Sequence, residues 1–226
     1  MSGAELGILF LSLQVGLVSL AASLPIAIGV AFVLARKDFP GKTLFDAVVH
    51  LPLVLPPVVV GFLLLVLFGT QGPIGSLLEP LGIVFAFRWT GAALAAAIMR
   101  FPLLVRAVRL AIESVDPRLE LAARTLGASR TRVFFTVTLP LAASGVVTGA
   151  LLAFARALGE FGATITFVSN IPGETRTLPL AIYTATQVPN GDAEALRLSI
   201  ISILVSLGAL ALSEWMVRRH KRGAHA

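Results

Sequence analysis

The chain has 226 residues, 57% of them hydrophobic and 13% charged, with a formal net charge of +6 and a mean hydropathy of +0.92. A soluble domain carries about 25% charged residues, so this composition excludes one and describes an all-α integral membrane protein. The excess of Lys and Arg is not evidence for nucleic acid, because loops on one side of a membrane collect these residues, and the absence of Cys excludes disulfides and thiolate metal sites.

The first apolar run, residues 8–35, would measure about 42 Å as a helix and spans a bilayer even when tilted. No Lys or Arg precedes Arg36, and the run is too long for a signal-peptide core, so it is expected to be retained, with a kink at Pro25. In the loop that follows, Gly41-Lys42-Thr43 imitates the end of a phosphate loop. That motif needs another Gly where Arg36 stands, and a preceding strand, so the reading fails. The second span, 47–68, carries Pro52, Pro56 and Pro57 near one membrane face. Either neighbouring helices accommodate a kink there, or non-helical backbone lines a cavity. A turn-rich connection over 69–88 leads to Trp89, an interfacial aromatic, and to a third span, 90–110. Arg100 falls about 15 Å into it. An intramembrane cation is a functional candidate, although snorkelling or reshaping by Pro102 would place it shallower.

The segment 116–140, DPRLELAARTLGASRTRVFFTVTLP, reads as two short helices. Asp116 caps the first, with Pro117 in its opening turn; Gly127 stops it in a left-handed conformation; Ser129 caps the second, which Pro140 follows. Leu119, Ala122, Ala123 and Leu126 share a face, and the small Ala pair leaves room for a close neighbour. In isolation the stretch would pass as a DNA-binding helix-turn-helix, but both ends feed directly into membrane-length apolar runs, which argues against nucleic acid as a partner. Beyond it, the fourth span, 141–160, is rich in small residues, with a GxxxG at Gly145 and Gly149 that supports close packing in general. An outer segment includes a short helix near 178–187, and a fifth span, 196–215, gives way to a basic tail. The histidines, His50 and the two of the tail, show no metal-ligand spacing.

Arg156 and Glu160 stand near the outer end of the fourth span. They form an i,i+4 pair in the weaker order, with the acid opposing the helix dipole, so local helix stability does not account for them. Two accounts remain: a structural ion pair, or a cation offsetting the desolvation of a passing anion while Glu160 limits its affinity. Fourteen of the 18 Lys and Arg residues lie on one side of this five-span arrangement. The rule that positive loops stay inside then predicts an external N-terminus, with segment 116–140 and the C-terminus in the cytoplasm.

Ala122, Ala123, Gly127, Val137, Leu139 and Pro140 match the pattern of the cytoplasmic coupling loop of ABC importer permeases, Glu-Ala-Ala, three residues, Gly, nine residues, Ile, one residue, Leu-Pro. The pattern's Glu falls on Leu121, and Glu120 beside it would point about 100° away on a helix. Together with HLPLVLPPVVVGFLLL, FPLLVRAVRLA and RALGEFGATITFVSNIPGETRTLP, these residues make nearly the whole chain resemble the permease subunit of bacterial molybdate ABC transporters, and RALGEFGA is shared in outline with sulfate permeases. The resemblance implies a type I importer fold forming one transmembrane domain over 1–226, in the bacterial inner membrane. It also implies a homodimer, two copies of a cytoplasmic ATP-binding subunit and a periplasmic molybdate-binding protein. No cofactor or catalytic residue is implied, and ATP hydrolysis is expected on the partner. Coupling residues would be Glu120, Ala122, Ala123, Gly127 and Pro140; the anion path would involve Arg156, Glu160 and Arg100. Sulfate or tungstate as cargo, or a secondary anion transporter without an ATPase, are the alternatives, the last disfavoured because no internal repeat is visible.

Overall fold

The computed structural model describes residues 3–223, and every regular element among them is helical. Residues 224–226 of the basic tail, with His225, lie outside the described residues, as do the side chains of residues 213, 214 and 216–223. The first helix, α1 (Gly3–Arg36), starts earlier than expected and runs through Pro25 without interruption.

The expected second span is two helices, α2 (Lys42–Val54) and α3 (Pro57–Phe68), bent by 111° at the residues between them. A residue before proline is driven out of the helical region. Leu55 and Pro56 each precede a proline, and both are extended, with ψ of 143° and 134°. Two consecutive extended residues end one helix and redirect the next, whereas the single prolines Pro25, Pro52 and Pro102 sit inside helices. A short turn of helix, α4 (Gly75–Leu78), and a 3-10 turn (Glu79–Leu81) occupy the connection that follows.

α5 (Trp89–Glu113) is the central element, packed against α1, α2, α3, α8 and α9. Its buried Ala92, Ala93, Ala95 and Ala96 are small enough to admit so many neighbours. Then come α6 (Pro117–Thr125), α7 (Arg130–Val133), a π-helical turn (Phe134–Thr138) and α8 (Leu139–Ala157). Pro140 therefore does not terminate the second short helix. It lacks the N–H that Thr136 would accept and crowds that carbonyl, and the chain responds with one wide turn, closed by Leu139 N–H to the Phe134 carbonyl, instead of a break. Arg130 to Ala157 is one continuous apolar helix of 28 residues. Its Gly145 and Gly149 face Ala111 and Ala107 of α5, so the GxxxG serves packing within the chain.

α9 (Gly162–Val168), α10 (Leu178–Thr186) and α11 (Asp192–Gly223) complete the fold, α10 falling where the short outer helix is expected. Among the described residues, four helices are long and apolar enough to cross a membrane, and there are five such spans if the bent pair counts as one. Among the described residues, two large buried clusters divide the bundle, and a small third joins Leu178 and Ala181 of α10 to Leu198 of α11. Of the large two, one joins Leu34 of α1, Leu104 and Val108 of α5 and Val146 of α8; the other joins Val15 of α1, Leu64 of α3, Ala92 of α5 and Phe167 of α9.

Candidate functional site: a tied coupling end and a charged break

At one end of the bundle, the segment between α5 and α8 folds as its local chemistry requires. The Asp116 carboxylate accepts from Arg118 N–H at 2.9 Å, and Ser129 Oγ accepts from Arg132 N–H at 3.3 Å. Gly127 has φ +85°, and Gly127 and Ala128 N–H close the end of α6 onto the carbonyls of Arg124 and Ala123. Leu119, Leu121, Ala122 and Leu126 are exposed, Leu126 by 89%, leaving an apolar surface that none of the described residues covers. Apolar side chains gathered and exposed in this way on one short helix are a candidate interaction surface.

Glu120 does not belong to that surface. It turns inward and accepts from Arg36 Nε at 3.0 Å and from Thr138 Oγ1 at 3.0 Å. Arg36, at the end of α1, also donates through Nη2 to the carbonyls of Ile112 and Val115 at 2.9 Å each. One guanidinium thus binds two carbonyls at and just beyond the end of α5 and holds α6, while the same carboxylate holds the π-helical turn. Sequence reasoning assigned Arg36 only to the positive loop, and nothing local could have paired it with a residue 84 positions away. A second tie joins α2 to α5, where Asp46 meets Arg109 at 3.3 Å and Arg109 meets Glu113 at 2.8 Å.

Deeper in the bundle lies the other candidate cluster. Arg100 is 4% exposed, so it does not snorkel; it donates to Ser19 Oγ of α1, and its Nη1 has no partner. Ser19 was not anticipated, although Ser12, Ser19 and Ser23 form a buried polar stripe on α1 that helical spacing displays. Ser12 Oγ likewise accepts from Leu178 N–H at 2.8 Å, anchoring α10.

α8 stops at Ala157, three residues before the expected end, and this changes the reading of Glu160. Its carboxylate accepts from Ala163 N–H at 3.0 Å, where an acid is favoured at the start of α9. Local stability therefore does account for Glu160, and the helix-dipole objection does not apply. No ion pair joins it to Arg156 among the described residues. Arg156 is exposed, with Nη1 lying over Gly159, while Glu160 is buried and within electrostatic reach of both Arg156 and Arg100. This break meets the break in the second span. A Cβ on Gly61 of α3 would lie 2.5 Å from the Ala163 carbonyl, and one on Gly162 would lie 2.7 Å from Pro57 Cβ, so the two interrupted helices touch through glycine.

Interrupted helices crossing beside buried charge are a transporter arrangement, and comparison with known proteins agrees. Residues 23–222 match the family model described as binding-protein-dependent transport system inner membrane component. The molybdenum transport system permease protein ModB of Escherichia coli (strain K12) is 62% identical over 209 residues, covering 92% of this chain and 91% of the relative. That of Haemophilus influenzae is 55% identical over 219 residues, covering 96% of each. The sulfate transport system permease protein CysW of Synechococcus elongatus is 39% identical, covering 94% of this chain and 75% of that one. The fold is shared with a bacterial alginate ABC transporter (TM-score 0.78, 18% identity, 97% of this chain and 80% of that one) and with the MetNI methionine ABC transporter (TM-score 0.75, 16% identity, 97% and 99%). Fold, interrupted spans and family match converge: the chain belongs to the inner-membrane components of binding-protein-dependent transport systems.

Proposed function

We propose that this protein is the membrane-spanning permease of an ATP-driven molybdate importer in the bacterial inner membrane, acting as a single transmembrane unit and working as a homodimer with two ATP-binding subunits and an external molybdate-binding protein. The observation that carries the reading is 62% identity to a molybdenum transport permease over 92% of the chain. In this reading the cytoplasm lies on the side of segment 116–140. The exposed apolar face of α6 docks on the ATPase, Ala122 and Ala123 admitting it closely, and Gly127 sets the angle between α6 and α7. Closure of the ATPase pair displaces α6 and α7, and the unbroken helix through Pro140 to Ala157 carries the displacement to the charged break.

There Arg156 offers a cation to the dianion. Glu160, held on α9 and flanked by Arg100, keeps that cation from binding the anion too tightly to release. Chemistry stays on the ATPase. Uptake of radiolabelled molybdate by vesicles containing the permease, ATPase and binding protein tests the assignment; molybdate should be taken up in preference to sulfate, and sulfate uptake undiminished by molybdate would refute it. Orientation is tested separately. A reporter active only in the cytoplasm should work when fused after Ser129 and be silent after Gly191.

A further inference from the structure

A cavity of about 630 Å³ lies between the end of α1 and segment 116–140; the Arg36–Glu120 tie forms one wall, and Leu121, at the edge of the exposed apolar surface of α6, lines it as well. Its mouth carries Lys37, Arg124 and Arg130, which form no ion pair among the described residues. The one acid on its wall, Glu120, is already engaged by Arg36 and Thr138. One side of it is apolar, with Gly29 and Phe32 of α1 and with Phe134, whose ring packs on Phe32. Gly29 and Phe32 lie seven and four residues before Arg36, or about 10 Å and 6 Å deeper along the helix. The cavity is therefore amphiphilic along the membrane normal, cationic where the loops begin and apolar at the depth of the acyl chains.

We propose that this cavity binds an anionic phospholipid of the leaflet on the side of segment 116–140. The headgroup phosphate lies among Lys37, Arg124 and Arg130, and an acyl chain runs over Gly29 and Phe32. A basic pocket between spans at the positively charged face of a membrane protein fits such a headgroup. A free oxyanion would leave the apolar side uncovered, and an acidic protein segment would have to enter the bilayer to reach it. Because the cavity is walled by α1 on one side and by α6, α7 and the π-helical turn on the other, a bound lipid braces the coupling segment against α1. The assignment of that leaflet as cytoplasmic rests on the proposed orientation, but lipid retention does not depend on transport.

The test uses the intact permease–ATPase complex in nanodiscs containing phosphatidylglycerol and phosphatidylethanolamine, delipidated stepwise and examined by native mass spectrometry. Wild type should hold phosphatidylglycerol after the other lipid has gone. Lys37→Gln with Arg130→Gln should weaken that retention about 30-fold, the effect of losing two interfacial cations. Gly29→Phe should also weaken retention without altering charge, since Gly29 lines the cavity and no neighbouring atom obstructs a ring placed there. Equal retention of both lipids by wild type, or retention unchanged in both variants, overturns the proposal. So does protection of Lys37 from amine labelling that appears with the ATPase alone or with inorganic phosphate alone and not with phosphatidylglycerol. A complex that retains the lipid but imports no molybdate would refute the transport assignment and leave this site standing.

Discussion

The two charged regions of this protein are built on opposite rules. At the coupling end, Arg36 and Glu120 meet at 3.0 Å with side chains only 15% and 18% exposed, and the Ile112 and Val115 carbonyls and the Thr138 hydroxyl are bonded to one of them. At the break between α8 and α9, Arg156, Glu160 and Arg100 share a neighbourhood but no ion pair; Glu160 bonds to backbone, Arg100 to a serine, and Arg156 is exposed. A locked pair fixes the relative position of three elements. Charges held near one another but apart leave a cation for something that arrives and departs. In the proposed function the first arrangement transmits force and the second passes an anion.

The comparison is broken most decisively at Arg156. Arg156→Gln should lower molybdate uptake on the order of 100-fold, comparable to removing one preorganised donor from an anion in a water-poor site. Membrane level and basal ATP hydrolysis should persist. Arg156→Lys should keep part of the uptake, retaining the charge but losing the planar fork. Uptake by Arg156→Gln that matches wild type, or that falls only in step with the amount of protein in the membrane, would show that the exposed guanidinium has no part in the path.

A smaller effect is expected at the locked pair. Glu120→Gln removes the charge-assisted bond to Arg36, worth about 1.5 kcal/mol, and should raise ATP hydrolysis per molybdate imported several-fold while substrate selectivity stays unchanged. Charge exchange, Arg36→Glu with Glu120→Arg, should not restore coupling, because a carboxylate cannot donate to the Ile112 and Val115 carbonyls. Full restoration by that exchange would show that ionic attraction alone matters there. The mildest change is Gly127→Asp. Open space surrounds Gly127, so the cost is that of a side chain at φ +85°, roughly 1 kcal/mol. Loss of substrate-stimulated hydrolysis is expected with normal insertion, and Gly127→Asn, which tolerates that conformation better, should be intermediate. Unaltered uptake by the Asp variant would remove this turn from the transmission route.

Features decided within a few residues were legible in the sequence. Asp116, Ser129 and Gly127 act where they were placed because capping and positive φ are local matters, and the spans follow from run length. The adjacent Pro56 and Pro57 signalled a break, but not a bend of 111°, which depends on how α3 settles across α9 through Gly61. The inward turn of Glu120 was not legible for a similar reason: helical phase separates Glu120 from Leu121 but cannot say which faces inward until α1 delivers Arg36. The dipole argument at Glu160 failed because α8 ends three residues earlier than hydropathy suggested, a boundary that apolar composition alone could not resolve.

The wide turn at Phe134–Thr138 determines what kind of motion the Arg130 to Ala157 helix can deliver. A π-helical turn holds one residue more than an α-helical turn, so it sets the faces above it about 100° out of phase with those below. In an ordinary helix such a turn could migrate residue by residue, and each step would spin the segment it passes, absorbing any twist applied at one end. Pro140 opposes this, at a cost of about 3 kcal/mol, because an α-helical turn ending there would again set its ring against the Thr136 carbonyl. With the defect pinned, torque applied at Arg130 does not readily dissipate as slippage along the rod. The Arg156 guanidinium should therefore swing around the axis of α8 whenever the coupling helices rotate, so that each ATP-driven cycle turns the cation as well as displacing it.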